Sequence, residues 1–280
     1  MKSRVRRAKK SLKSILLDIY KVLRRPDMVI LPGTLAFYFV LALIPTISLL
    51  SYGASILNLS VDFIYDFLAH SFSSDIANMV LGVKLNSASG FGFVVTIIVG
   101  LYIASNGADA MILSSNTIYG IKNKPWYKRR IKALFMTLII ILLLMFLLIV
   151  PVFGDIITKL LTEVNLNKHI TDQILFIYDI IKGPITWIII FILVRVLYSI
   201  APDKDSDDMI VNYGAIFTTV MFVVGTKVYS IYVTHYAHYT ALYGSLANIV
   251  ILMFWFYYLS YIFTIGLALN YQKEDKINIK

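Results

Sequence analysis

Six long apolar runs, separated by short polar connections, dominate the pattern of hydrophobic positions along the chain. They lie near residues 33–57, 91–113, 133–154, 179–200, 213–236 and 243–270. About 20 consecutive apolar residues are enough for an α-helix to cross the hydrocarbon layer of a bilayer. The pattern therefore predicts an all-α, polytopic integral membrane protein, in which residues 1–280 form one membrane domain with a bundle of six transmembrane helices.

Three further segments have apolar residues at helical spacing but are too polar to span a membrane. Residues 1–26 combine an apolar stripe with many lysines and arginines, and Pro26 is expected to end that helix. We expect the helix to lie on anionic headgroups of the inner leaflet or, alternatively, to act only as a basic anchor that keeps the N-terminus inside. Residues 59–90 and 163–178 show similar spacing, which predicts amphipathic helices at the outer surface.

The composition excludes a typical soluble protein. Hydrophobic residues make up 59% of the chain and charged residues only 15%, whereas about a quarter of the residues in soluble domains are charged. The chain has no cysteine. This excludes disulfides, a thiol nucleophile and a thiolate metal site.

Basic residues crowd alternate connections, which predicts the orientation of the chain in the membrane. Ten lysines and arginines precede the first span, and six more lie between residues 122 and 132. The connections expected on the other side carry only Lys84, Lys159 and Lys168, with Lys182 at a boundary. The positive-inside rule therefore places both termini in the cytoplasm. The segments expected to be cytoplasmic are residues 1–25, 114–132, 201–212 and 271–280.

The formal net charge of +10 has two explanations. In a basic soluble domain such a charge indicates nucleic-acid binding. Here the membrane topology already accounts for the excess, so we predict no nucleic-acid partner. The expected partners are membrane lipids, above all anionic headgroups of the inner leaflet, and the sequence leaves a homo-oligomer open.

Polar side chains inside the predicted spans are the candidates for a substrate pathway, because burying a charge in hydrocarbon costs about 2.5–3.5 kcal/mol even on insertion scales. They are Asn106, Asp109, Arg195 and Lys227. Asp109 and Arg195 lie about one turn from the cytoplasmic ends of their spans, where either an ion pair between the two helices or snorkelling explains them. Lys227 lies near the middle of its span. We expect it to face a polar cavity, the alternative being a lysine that is neutral or bonded to backbone carbonyls near Gly225.

Two other groups of residues resemble parts of metal sites. His235 and His238 are three residues apart, but a zinc site needs three or four ligands. An acidic run is compatible with a two-metal nuclease, or with a solvated turn whose last acids stabilise the N-terminus of the fifth helix. This run comprises Asp203, Asp205, Asp207 and Asp208. The sequence favours the solvated turn, and it predicts no catalytic residue, no metal and no cofactor.

Short motifs occur in residues 35–45, 116–130, 197–202, 239–247 and 266–270. Among their residues, Pro45 is expected to kink the first helix and Gly244 to let helices approach closely. The candidates for function are Pro45, Asn116, Tyr119, Gly120, Tyr239, Tyr243 and Gly244. In this order the motifs resemble the YihY/virulence factor BrkB family of bacterial inner-membrane proteins, sometimes labelled ribonuclease BN. The resemblance covers essentially residues 10–271.

The resemblance implies a six-helix bundle in the bacterial plasma membrane, in a family whose molecular activity is not established. Because Lys227 and Arg195 are predicted to be buried cations, we expect a transporter or flippase for an amphiphilic, anionic, lipid-like molecule. The alternatives are a non-transporting scaffold or regulator of envelope assembly and, third, a membrane-bound hydrolase. A cleft lined by Lys227 and Asn106 would favour transport, a solid core would favour a scaffold, and carboxylates around a metal would favour an enzyme.

Overall fold

Six long helices make up nearly all of the computed structural model. The residues that it describes are 19–56, 65–66, 69, 91–163, 168–204, 208–236 and 246–278. The helices are α1 (Asp27–Ile56), α2 (Phe91–Tyr119), α3 (Trp126–Glu163), α4 (Lys168–Ile200), α5 (Asp208–Tyr236) and α6 (Leu246–Asn278). These ranges contain no strand, and five helices within them, all except α3, are long and apolar enough to cross a membrane. The predicted class, an all-α polytopic membrane protein, is confirmed.

The helices extend beyond the apolar runs that predicted them. The predicted third span, 133–154, lies inside the 38 residues of α3. The predicted surface helix over 163–178 is wrong as a separate element, because α4 is continuous from Lys168 to Ile200 and passes through Pro184. In the same way α1 continues through Pro45, and the kink expected there stays a prediction. Most of the other predicted surface segment, 59–90, lies outside the described residues.

The end of the N-terminal segment docks onto the bundle. Residues 19–23 are helical, and a turn at residues 24–26 precedes α1, so the predicted break at Pro26 is confirmed. Val22 is completely buried. Arg25 donates from Nη2 to the backbone oxygen of Ile118 at 3.0 Å, and its guanidinium lies 5.3 Å from the centre of the Tyr271 ring. The rest of the predicted N-terminal helix, residues 1–18, lies outside the described residues.

The helices form a closed ring in chain order. Each helix packs against the next one, and α6 returns to pack against α1. Two further contacts cross the ring, between α1 and α3 and between α2 and α6. Every long helix therefore has its neighbours in sequence as neighbours in space.

Packing is densest at the end of the ring where the strongly basic turn between α2 and α3 lies. We call this the basic end. Its core consists of buried side chains from the C-terminal halves of α2, α4 and α6 and from the N-terminal parts of α1, α3 and α5. In α4, none of the described side chains from Gln173 to Leu193 is buried, whereas Val194, Leu197 and Tyr198 are. Burial thus falls along this helix with distance from the basic end.

Small residues bring the backbones of α5 and α6 together in this core. The backbone N–H of Gly214 donates to Oδ1 of Asn270 at 2.6 Å. A methyl group at Gly214 would overlap the backbone oxygen of Gly266. Beside this crossing, the Tyr198 hydroxyl donates to the backbone oxygen of Phe263 at 2.8 Å, which ties α4 to α6. In lipid the hydrophobic effect does not drive helices together. Small residues at such crossings let the two backbones approach closely, so that van der Waals contacts and hydrogen bonds stabilise the pair.

Gly214→Ala should lower the unfolding temperature in detergent, because the added methyl forces α5 away from α6, and overpacking costs about 1–3 kcal/mol. Gly100→Ala is the control, since a methyl group there meets nothing within 4 Å. That variant should be unchanged or slightly more stable, because alanine favours a helix over glycine by up to about 1 kcal/mol. Equal stability of the two variants would contradict the close α5–α6 contact.

Candidate functional site

Five polar residues form a cluster at the basic end, where the α2–α3 turn meets the turn between α4 and α5. We call it the Asp203 cluster. Its members are Asn116, Asn123, Lys124, Lys132 and Asp203, and they come from α2, α3 and both turns. The cluster therefore connects α2, α3 and the end of α4 at one point.

Asn116 uses both ends of its amide to join the two turns. Its Nδ2 donates to Oδ1 of Asn123 at 2.9 Å and to Oδ2 of Asp203 at 2.9 Å. Its Oδ1 accepts from the backbone N–H of Asp203 at 2.9 Å. The side chain is fully buried, so these three bonds replace all its contacts with water.

The end of α2 makes this arrangement possible. Gly120 has a φ of 66°, a left-handed conformation that favours glycine. Ile121 N–H donates to the Asn116 backbone oxygen at 2.8 Å, and Gly120 N–H donates to that of Thr117 at 3.2 Å. This pair of bonds is the Schellman motif. It turns the chain back, so that Asn123 returns to the side chain of Asn116.

Lys132 anchors α3 to the end of α4. Its ammonium donates to the backbone oxygens of Ala201 and Pro202, each at 2.9 Å, and to Oδ1 of Asp203 at 2.8 Å. A lysine ammonium has three donors, so all of them are used here. The last carbonyls of a helix lack partners within the helix, and Lys132 supplies one from a different helix.

Asp203 is a structural anion. Its side chain is only 2% exposed, and its Oδ1 contacts Lys132 at 2.8 Å and Lys124 at 3.3 Å. Burial opposes ionisation, but hydrogen bonds from Lys132 and Asn116 to the charged form outweigh it and lower the pKa of Asp203 to about 2. The carboxylate therefore stays ionised near neutral pH and is poorly suited to exchange protons there.

A second set of charged contacts joins α2 to α3. Arg129 Nε donates to Oδ1 of Asp109 at 2.6 Å. Arg130 donates from Nη1 to Oδ1 of Asn106 at 2.9 Å, and its guanidinium lies 3.6 Å from the centre of the Tyr102 ring. Two of the predicted pathway residues, Asn106 and Asp109, thus hold neighbouring helices together.

The expected pair between Asp109 and Arg195 is wrong. Asp109 bonds to Arg129, while Arg195 donates from Nε to Oδ1 of Asn212 at 2.8 Å. The reason is the ring order, because α2 packs against α1, α3 and α6, whereas α4 packs against α3 and α5. Similar depth in the membrane did not bring residues on non-neighbouring helices together.

Lys227 lies on an exposed face of α5. Val220, Val224 and Ile231 share this face and are exposed as well, whereas Gly225, on another side, packs against the Tyr258 side chain. The apolar part of α5 is Ile210–Tyr229, so Lys227 lies about 25 Å along it from Ile210. The helix continues beyond Lys227 to Tyr236, and the depth of the ammonium in the membrane stays a prediction. Its role in a polar pathway stays a prediction.

The remaining candidates are placed as follows. Tyr119 is buried, and its ring packs edge-on against that of Tyr271 at 5.5 Å. Tyr239, Tyr243 and Gly244 lie outside the described residues. Among the described residues, no group of three histidines, cysteines, aspartates or glutamates is arranged to hold a metal ion.

Sequence reasoning missed the partners within the Asp203 cluster. The pattern predicts only a basic connection at Lys132. The solvated turn that it predicts for the acidic run is wrong at Asp203, because that side chain is buried against Lys132. Asn116 and Gly120 were singled out through a family motif. One signal was available in the sequence. Gly120 can end a helix, and Asn116 lies one turn before it, which places the Asn116 amide near the turn that follows.

A double-mutant cycle should separate the two candidate partners of Asp109. We expect Asp109→Ala and Arg129→Ala to show a coupling energy of about 1–3 kcal/mol in thermal unfolding, because each alone leaves its partner without a charged hydrogen bond. The cycle with Arg195→Ala is the control and should be additive within about 0.5 kcal/mol. Coupling to Arg195 instead would contradict the structure.

Comparison with known proteins places the chain among bacterial membrane proteins. It is similar to YfkH of Bacillus subtilis (strain 168), named as ribonuclease-like, with 28% identity over 84% of this chain and 86% of the relative. It is also similar to a UPF0761 membrane protein of Glaesserella parasuis, with 24% identity over 69% of this chain and 65% of the relative. No solved structure matches. The family described as virulence factor BrkB matches residues 19–279, and the chain therefore belongs to that family.

Proposed function

We propose that the protein is a transporter or flippase for an amphiphilic, anionic molecule, and that the Asp203 cluster closes its cytoplasmic end. The observation that carries the proposal is the chemistry of the helix contacts. At the basic end, α2, α3 and the α4–α5 turn are joined by charged hydrogen bonds. Toward the other end of α4, the described side chains are not buried.

Charged hydrogen bonds suit a contact that must open and close. Each bond has a definite geometry. When it breaks, water can solvate both of its partners, whereas apolar side chains that separate in water find no favourable partner there. Alternating access requires one end of a bundle to separate while the other end packs. The Lys132–Asp203 and Arg129–Asp109 pairs join different elements, so their separation would open the basic end.

The charge at this end supports an anionic substrate. Lys124 and Lys204 are half exposed there, and Lys132 contacts the same carboxylate oxygen as Lys124. Cationic walls raise the local concentration of anions. An amphiphile also fits the exposed apolar faces of the helices, which open toward lipid.

We further propose that the chain is not an enzyme and does not act as a scaffold alone. Asp203, the first acid of the run that suggested a nuclease, has both carboxylate oxygens occupied by Lys132, Lys124 and Asn116. Two ammonium groups beside this carboxylate also oppose the approach of a metal cation. The name of YfkH as ribonuclease-like applies to that protein.

A disulfide across the Asp203 cluster should block transport reversibly. The Asn116 side chain contacts both the backbone nitrogen and the carboxylate of Asp203, each at 2.9 Å, so Asn116→Cys and Asp203→Cys place two thiols at facing positions of the cluster, where we expect oxidation to join them. The wild-type chain has no cysteine. We expect fluorescent phosphatidylglycerol to cross proteoliposomes made with the reduced variant, and its crossing to fall to background after oxidation. Dithionite quenching of the outer leaflet measures the crossing.

The two single-cysteine variants are the controls, and oxidation should leave their rates unchanged. Equal rates in the oxidised and reduced double variant would contradict opening at the cluster. Wild-type protein that moves no lipid, although correctly folded, would contradict transport and favour the scaffold.

The proposed orientation places the basic end and both termini in the cytoplasm of a bacterium, as the positive-inside rule requires. Single cysteines at Lys128 and Ser87 test it with a thiol reagent that does not cross membranes. In intact cells Ser87→Cys should be labelled, and Lys128→Cys should be labelled only after the cells are opened. The reverse pattern would overturn the orientation.

A further inference from the structure

A pocket of 530 Å³ lies beside the Asp203 cluster. Its walls come from the α2–α3 turn with Lys124, from α3 with Lys132, from the end of α4 with Ser199, and from the following turn with Asp203 and Lys204. Pockets for small ligands have volumes of about 300–1,000 Å³. This one is bounded mainly by polar groups at the basic end, so it is suited to a polar ligand.

The carboxylate that lines this pocket and the neighbouring backbone oxygens at the end of α4 already have partners. Both oxygens of Asp203 accept hydrogen bonds from Asn116 and Lys132. The backbone oxygens of Ala201 and Pro202 accept from Lys132. Little capacity remains on the walls to bind a cation or a hydrogen-bond donor.

Two ammonium groups, in contrast, keep unused donors. Lys124 contacts Asp203 and is 51% exposed, while Lys204 contacts Glu274 and is 45% exposed. Each has one partner among the described residues, and each ammonium has three N–H donors. Lys124 belongs to the α2–α3 turn and Lys204 to the turn after α4, so donors face the pocket from two separate segments.

We infer that this pocket binds a phosphate group, carried by a membrane lipid headgroup or free in solution, between Lys124 and Lys204. A phosphate offers three strong acceptor oxygens, which match the unused donors of both lysines. The inference rests on the proposed function in one respect: the phosphate is the group by which the transporter would recognise its substrate. It is tested by binding, without transport, so either proposal can fail while the other holds.

The test compares two double variants with the same change in charge. K124M/K204M removes both lysines of the pocket, whereas K122M/K128M removes two exposed lysines of the same basic end outside it. Inorganic phosphate, titrated against sodium chloride of equal ionic strength, should raise the unfolding temperature of the wild type. K124M/K204M should bind phosphate at least about tenfold more weakly, because charge-assisted hydrogen bonds are lost. K122M/K128M should bind like the wild type.

A second arm distinguishes the two sources of phosphate. Native mass spectrometry counts lipids retained from nanodiscs that contain phosphatidylglycerol or, as a lipid without phosphate, diacylglycerol. Retention of phosphatidylglycerol that is lost only in K124M/K204M, without an effect of inorganic phosphate, assigns the pocket to a headgroup. An effect of inorganic phosphate alone assigns it to a free anion. The single variants K124M and K204M should each lose part of the effect, which keeps the test valid if the double variant folds poorly.

Two results would overturn the inference. One is equal weakening in K124M/K204M and K122M/K128M, which would show attraction by general surface charge. The other is a wild-type protein that responds to neither phosphate nor phosphatidylglycerol.

Discussion

The bond network of the Lys132 ammonium is the constraint on which the basic end depends. It places a cation from α3 against the last carbonyls of α4 and the carboxylate of Asp203. Because Asp203 is also bonded to Asn116 of α2, one charged centre joins the ends of α2, α3 and α4. Within lipid, where the hydrophobic effect does not drive helices together, such polar contacts and the small residues near Gly214 decide how the ring packs.

The proposed function rests on where these contacts lie rather than on how many charges the chain has. The intramembrane lysine that the sequence made conspicuous is on an exposed, apolar face of α5. The polar groups that connect different helices are instead near the basic end. The proposed opening and closing of that end, with the lysines beside it as the proposed anion site, needs no charged pathway through the middle of the bundle.

Much of the fold could be predicted from the sequence, because an apolar run long enough to cross the membrane is nearly sufficient to identify a transmembrane helix. The boundaries could not, since helices continue past the hydrocarbon into residues such as Lys168 and Asp208. Asn116 and Gly120 could be named as candidates only through the family motif that contains them. Partners were missed where they depend on which helices are neighbours, as for Asp109, since a span pattern carries no information about ring order.

Closure of the ring between α6 and α1 also has a consequence for how the protein is made. Helices of a membrane protein enter the bilayer in the order in which they are synthesised, so α1 and α2 are present long before α6. Until α6 arrives, the faces of both helices that it covers have only lipid or other proteins as neighbours. Assembly of the ring is therefore finished by its last helix, and a chain truncated before residue 246 has no partner for those faces.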